Sequence, residues 1–206
     1  MKRLQTGLIL LAVLLAALPL AAAGRNEVVD IETPEFAQGP SSYDSRYPSA
    51  IFAGGCFWGV EAMFETQPGV LDAVSGYTGG DLEFPTYGRV LSGQTGHVEA
   101  VAVWYDPEVT SYRELAKYFF EIHDPTQTDG QGPDIGSQYL SVIFYENEAE
   151  KATAQELISI LEGIGYDVAT RVEERSTFYR AEGYHQNYYA RSSSTPYCHF
   201  YTPRFP

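Results

Sequence analysis

From Ala50 onward the chain alternates short apolar runs with amphipathic stretches. Ala50–Ala53 is a continuous apolar run ending in Gly54-Gly55, which predicts a short buried strand. Phe57–Glu65 then reads as a helix, stopped by Gln67-Pro68-Gly69. Val70–Tyr77 predicts a second strand ending in Gly79-Gly80, followed by a loop with a short helical piece between Pro85 and Gly93. Val98–Tyr105 is a strong strand pattern closed by Asp106-Pro107, and Ser111–Glu121 carries Leu115, Tyr118, Phe119 and Ile122 at helical spacing. A long loop rich in Gly, Pro, Asp and Gln runs from His123 to Ser137, a length usually reserved for function. Tyr139–Tyr145 predicts a strand and Glu148–Glu162 an amphipathic helix stopped by Gly163 and Gly165. Val168–Glu173 predicts a last strand and Gly183–Ala190 a short Tyr-rich helix. The order, strand-helix-strand-strand-helix-strand-helix with an added end, is the split βαβ pattern of a two-layer, ferredoxin-like α+β sandwich.

The first residues follow another pattern. Lys2-Arg3 makes a basic start, Leu8–Leu20 is apolar, and Ala21-Ala22-Ala23 offers a small-residue cleavage site, which predicts a signal peptide over 1–23. The expected product is exported, periplasmic or secreted. The alternative is an uncleaved membrane anchor, disfavoured by Pro19 and the shortness of the apolar stretch, so no stable membrane association is expected. Residues 24–49 mix Pro, Gly, Ser and acids and read as an extended arm. Residues 50–206 form one α+β domain with a Ser-rich, flexible tail from about Arg191.

Composition narrows the function. A formal net charge of −14 repels nucleic acid and anionic membranes, so neither is an expected partner. The four histidines stand at no metal-ligand spacing, and Gly54, Gly55 and Gly59 do not match a dinucleotide fingerprint, so neither a metal nor another cofactor is expected. Only two cysteines occur, Cys56 and Cys198. In an exported chain the default reading is one structural disulfide.

Cys56 argues for chemistry instead. It opens the first helix, where unpaired N–H groups and the helix dipole favour a thiolate. Alternation places Glu99 on one face of its strand with Val101 and Val103, while Val98, Ala100, Ala102 and Trp104 take the other. Both faces are apolar, so the strand is central, and a carboxyl buried there has a raised pKa and suits a general acid. Tyr87 and Tyr139 are loop-associated tyrosines able to donate to an oxyanion. A flexible tail could bring Cys198, a second thiol, to Cys56, and a mobile resolving thiol is what sulfenic acid chemistry needs. From the residues alone a cysteine hydrolase with a histidine base, or a disulfide-stapled binding module, remains open beside a thiol reductase.

A larger set of blocks resembles the A-type peptide methionine sulfoxide reductases, the MsrA family. They are Gly54-Gly55-Cys56-Phe57-Trp58-Gly59, Gly76-Tyr77-Thr78-Gly79-Gly80, Pro85-Thr86-Tyr87, Ser92 through Glu99, and Tyr105-Asp106-Pro107. They continue in His123 through Gln127, Gln131 through Tyr139, Tyr184-His185-Gln186 and Pro196-Tyr197-Cys198. The resemblance implies Cys56 as nucleophile, Phe57 and Trp58 as the pocket for the substrate methyl group, and Glu99 as the acid that protonates the sulfoxide oxygen. It also implies Tyr87, Asp134 and Tyr139 as groups orienting that oxygen or a water, and Cys198 as the resolving cysteine. The implied reaction converts the S epimer of methionine sulfoxide, free or in oxidised proteins and peptides, to methionine. A thioredoxin-like dithiol then reduces the disulfide, and the enzyme works as a monomer. Phe84, Leu91, Leu140 and Thr128-Asp129-Gly130 depart from the usual pattern, and the changes at Asp129 and Leu140 make the site region more acidic.

Overall fold

The computed structural model describes residues 46–206; the predicted signal segment and residues 24–45 of the arm lie outside them. The first strand, β1 (Ser49–Gly54), leads into helix α1 (Phe57–Phe64), and β2 (Val70–Thr78) follows. After a one-turn helix α2 (Tyr87–Leu91) come β3 (Val98–Tyr105) and α3 (Tyr112–Ile122). Ser111 caps α3 by accepting from the Glu114 N–H, the Ser-x-x-Glu arrangement that starts helices. The long loop folds a small hairpin of its own, β4 (Gly130–Gln131) against β5 (Asp134–Ile135). A 3-10 turn over Ser137–Tyr139 precedes β6 (Ser141–Tyr145) and α4 (Glu148–Gly163). The chain ends with β7 (Arg171–Glu174), β8 (Tyr179–Arg180) and the short α5 (Tyr188–Ser192).

Among the described residues six strands form one sheet in the order β7-β6-β1-β3-β2-β8. Neighbours are antiparallel except β6 and β7, which run parallel. β3 lies centrally and is buried along its whole length, as a strand apolar at every position but Glu99 demands. Val101 and Val103 face a core shared with Phe57, Val60 and Phe64 of α1, Leu115, Phe119 and Phe120 of α3, and Leu157 and Leu161 of α4. Val98, Ala100, Ala102 and Trp104 join Ile51, Val74 and Phe144 on the opposite face, with Tyr47, Leu71 and Phe178 packed against them. No helix of the described residues is long and apolar enough to cross a membrane.

Several elements differ from the sequence expectation. Tyr139 sits in the 3-10 turn rather than in a strand, because its N–H turns back to the Gly136 carbonyl. The Tyr-rich helix begins at Tyr188, not Gly183. The preceding residues are held by long-range bonds instead: Gln186 Nε2 donates to the Ser75 and Ala181 carbonyls, and the Asn187 N–H donates to Glu61 Oε2. β8 was not foreseen; its two residues exist as a strand only through pairing with β2. The last strand starts at Arg171, three residues late.

The tail from Arg191 adds little regular structure. It carries none beyond Ser192 and is largely exposed, but His199 is buried and the last residues are tied to α3. A helix ends with carbonyls that lack partners, and the tail supplies donors to those of α3. The Thr202 N–H donates to the Glu121 carbonyl, and Arg204 donates to the carbonyls of Phe120 and His123. Phe205 packs edge-on against Phe120.

The core centres on Phe52, whose ring stacks on Phe64 and Phe119 with centroids 5.1 Å away in each case. Phe52→Ala is expected to cost about 3–5 kcal/mol of folding stability, read as a lower urea midpoint with an unchanged denaturant slope.

Candidate functional site

The site forms where β1 passes into α1. Gly54 ends the strand, and Gly55 turns the chain at φ +98° in a space where a side chain would meet Gln131. Cys56 then takes the N-cap position of α1 without using its side chain as a cap. The cap comes from elsewhere: the Phe57 N–H donates to Glu99 Oε2 at 3.1 Å. Glu99 lies opposite Tyr77 in the β2–β3 pairing and is only 2 % exposed. One backbone bond therefore sets a buried carboxyl beside the residue that follows Cys56.

Burial raises the Glu99 pKa to about 8; the Phe57 N–H partly opposes this and Asp134 adds to it. The carboxyl is thus largely protonated at neutral pH. Cys56 departs from expectation. Its thiol is 8 % exposed, and burial, then the Glu99 charge, push its pKa upward, against a lowering by the Trp58 N–H. The helix end predicted an ionised resting thiol; desolvation and a neighbouring acid outweigh one short helix. Cys198 and Asp134 raise the Cys56 thiol further, which places both in its electrostatic neighbourhood.

The remaining predicted residues converge here. Tyr87 starts α2 with its N–H on Glu182 Oε1, and its phenol is pushed up to about 12 by burial and then by Glu99 and Cys56. Burial, Glu99 and Tyr87 likewise raise Tyr139. Both phenols therefore stay protonated and able to donate. Asp134, at the start of β5, accepts from the Tyr197 hydroxyl at 2.7 and 3.0 Å. Phe57 is buried against Tyr77 and His185. Trp58 is part-buried and flat on Tyr188, with centroids 3.8 Å apart, and its indole N–H donates to His185 Nδ1. Cys198 is half-buried, and its thiol is pushed up to about 12 by burial and then Asp134. Both cysteines are free thiols.

Sequence reasoning missed Tyr197, Glu182, His185 and His199. Glu182 ties the site together, accepting from the Tyr77 hydroxyl as well as from the Tyr87 N–H. His185 stands inside a block that carried the family resemblance, and Tyr197 and His199 flank Cys198, so adjacency was the available signal. Each histidine has a partner other than Cys56: His97 bonds the Gly80 N–H and the Leu82 carbonyl, and His123 the Phe119 carbonyl and the Ser141 hydroxyl. His185 takes the Trp58 indole, and His199 the Cys198 thiol and the Gly54 carbonyl. The histidine base that a cysteine hydrolase would place on Cys56 is not found among the described residues. No group of side chains there is arranged to hold a metal ion.

Residues 48–205 match the family model described as peptide methionine sulfoxide reductase. The chain is 47 % identical over 153 residues to the peptide methionine sulfoxide reductase MsrA of Natronomonas pharaonis, covering 73 % of this chain and 86 % of that protein. Its fold resembles the crystal structure of Mxr1 from Saccharomyces cerevisiae in reduced form, at 36 % identity and a TM-score of 0.70, covering 75 % of this chain and 92 % of that one. It also resembles Mxr1 in complex with Trx2, at 26 % identity and a TM-score of 0.53, covering 79 % and 95 %.

The buried acid has a measurable cost. Because its pKa is raised from 4.5 to about 8 in the folded chain, folding is favoured while the group is protonated. The stability it contributes is complete below about pH 4.5 and is lost as pH rises toward about 8. Glu61, raised to about 8 chiefly by burial, adds a parallel decline. Glu99→Gln should flatten the slope of stability against pH across this window, by up to about 4 kcal/mol between its ends, in urea unfolding at successive pH values.

Proposed function

Since the chain belongs to the peptide methionine sulfoxide reductase family, we propose that it reduces methionine sulfoxide through Cys56, Glu99 and Cys198, in that order of action. The single observation that carries this reading is the Phe57 N–H bond to Glu99, which holds a neutral carboxyl at the cysteine's helix end. The sulfoxide oxygen takes its proton from Glu99, which makes the substrate sulfur electrophilic. The emptied carboxylate accepts the proton of the Cys56 thiol, and the resulting thiolate attacks the sulfur. A thiol protonated at rest is thereby ionised only when substrate is present. Tyr87 and Tyr139 donate to the oxygen as its charge grows, and Asp134 orients a water or the oxygen. Trp58, braced on Tyr188 and His185, walls the pocket for the methyl group, with Phe57 behind it. The hydroxyl then passes from the substrate sulfur to the Cys56 sulfur as the substrate S–O bond and the transient S–S bond break, so methionine leaves and Cys56 becomes a sulfenic acid, which Cys198 closes to a disulfide with loss of water.

The finer terms of the reading rest on the family. The S epimer is the substrate, free and within oxidised proteins, and the returning electrons come from a thioredoxin-like dithiol; the complex of Mxr1 with Trx2 supports that class of reductant. The strand order β6-β1-β3-β2, with α1 and α3 as crossovers, supports a ferredoxin-like core inside the larger sheet. The N-terminal pattern supports a signal peptide and an exported, periplasmic or secreted enzyme; the mass of the mature N-terminus tests the cleavage.

The deciding assay is dithiol-dependent reduction of each sulfoxide epimer. Cys56→Ser should abolish turnover, and persistent reduction by that variant would refute the reading. Glu99→Gln should lower kcat roughly 100- to 10,000-fold. In the parent, the chemical step should fall as pH rises above about 8, where the carboxyl ionises. Cys198→Ala should release one methionine per enzyme and stop, with the sulfenic acid trappable on Cys56.

A further inference from the structure

The tail brings a histidine to the site as well as a thiol. His199 is 2 % exposed, and its Nε2 lies 2.7 Å from the Gly54 carbonyl oxygen. A carbonyl only accepts, so Nε2 carries the hydrogen and Nδ1 of the neutral ring is a bare lone pair. That lone pair faces Cys198 Sγ at 3.1 Å, so the thiol is the donor. The ring is wedged against α1: a Cβ at Gly59 would run into Nδ1 and Cε1 of His199. Gly59 thus gives His199 its place, and Gly54 fixes its tautomer from the loop that presents Cys56. Burial keeps the ring neutral, opposed by the Gly54 bond and Asp134.

We propose that His199 is a catalytic base of the resolving step, taking the Cys198 proton through Nδ1. This rests on the reductase reading above, in which Cys198 attacks the Cys56 sulfenic acid. As the Cys198 S–H bond yields its proton to Nδ1, the thiolate forms the S–S bond to Cys56 and the Cys56 S–O bond breaks. The departing hydroxide takes a proton from Glu99 and leaves as water. The imidazolium returns its proton to solvent, and solvent reprotonates Glu99. Two thiol-level sulfurs share the oxidation already present in the sulfenic acid, so no further oxidant enters. A base is needed because Cys198, pushed up to about 12, is not ionised on its own. Asp134 also hydrogen-bonds this thiol, but a carboxylate is ordinarily a weaker base than a neutral imidazole, so it holds the thiol while His199 takes the proton.

The test is a single turnover. Reduced enzyme is mixed with methionine sulfoxide and quenched at intervals, and both released methionine and surviving thiols are counted. His199→Gln should release its first methionine while closure of the disulfide lags by roughly 100-fold relative to the parent, with the sulfenic acid open to a trapping reagent meanwhile. Gly59→Ala, which displaces the ring without changing its chemistry, should retard closure in the same sense. The proposal is overturned if closure in His199→Gln keeps pace with the parent, or if Asp134→Asn alone slows it. It is also overturned if natively folded His199→Gln releases no methionine, since the ring would then serve Cys56. Should His199→Gln not fold, Gly59→Ala decides by the same ratio. A parent enzyme without a methionine burst defeats the reductase reading instead; hydrogen peroxide then makes the Cys56 sulfenic acid directly, and the closure ratio still judges His199.

Discussion

A backbone N–H at the start of α1 donates to a carboxyl on the central strand, and the site is arranged around that bond. Helix starts need acceptors for their first N–H groups. Here the acceptor is not the N-cap side chain, which is a thiol, but Glu99 from β3. The arrangement frees Cys56 from capping and brings the acid to it. It requires β3 to be central, because only a strand covered on both faces buries its second residue this deeply. The same burial keeps Glu99 protonated and keeps the Cys56 thiol protonated too. Cys56 and Glu99 therefore rest as a protonated pair.

A second buried carboxyl anchors the other part of the same helix. Glu61 accepts from the N–H groups of Ser75 and Asn187, joining α1 to β2 and to the segment that carries His185 and Tyr188. Those two residues brace Trp58. α1 is thus held by one acid from β3 and contributes another of its own, and each is desolvated. Both acids trade stability for position, since burying a carboxyl costs free energy that grows with pH.

Much of this architecture was legible along the chain. The run Val98–Tyr105 announced a covered strand and its facing residues without error, and Ser111 with Glu114 marked the start of α3. What failed was set by partners distant in sequence. β8 exists through β2, and the residues before α5 are held by Glu61 and Ser75 rather than by helical bonds. The protonation of Cys56 failed for a related reason. A helix end is visible locally, but its contest with desolvation is visible only once Glu99 and the core surround the sulfur. Positions such as Tyr197, which meets Asp134 across 63 residues, offered no periodicity to read.

The anchoring of the tail bears on the resolving role proposed for Cys198. A thiol on a loose chain is limited by how often it arrives, and the entropy of its search grows with the length of free chain. In this protein both neighbours of Cys198 are held by bonds to the site region. Tyr197 is tied to Asp134, and His199 to Gly54. Beyond them, Thr202 and Arg204 cap α3, whose own packing holds Phe52 under the site. The thiol between Tyr197 and His199 is half-buried and its pKa is pushed up to about 12, so losing its proton is part of the barrier to any attack it makes. A neighbour able to accept that proton matters most when the thiol is already in place, so the order of the tail and the pairing of Cys198 with His199 belong to the same solution.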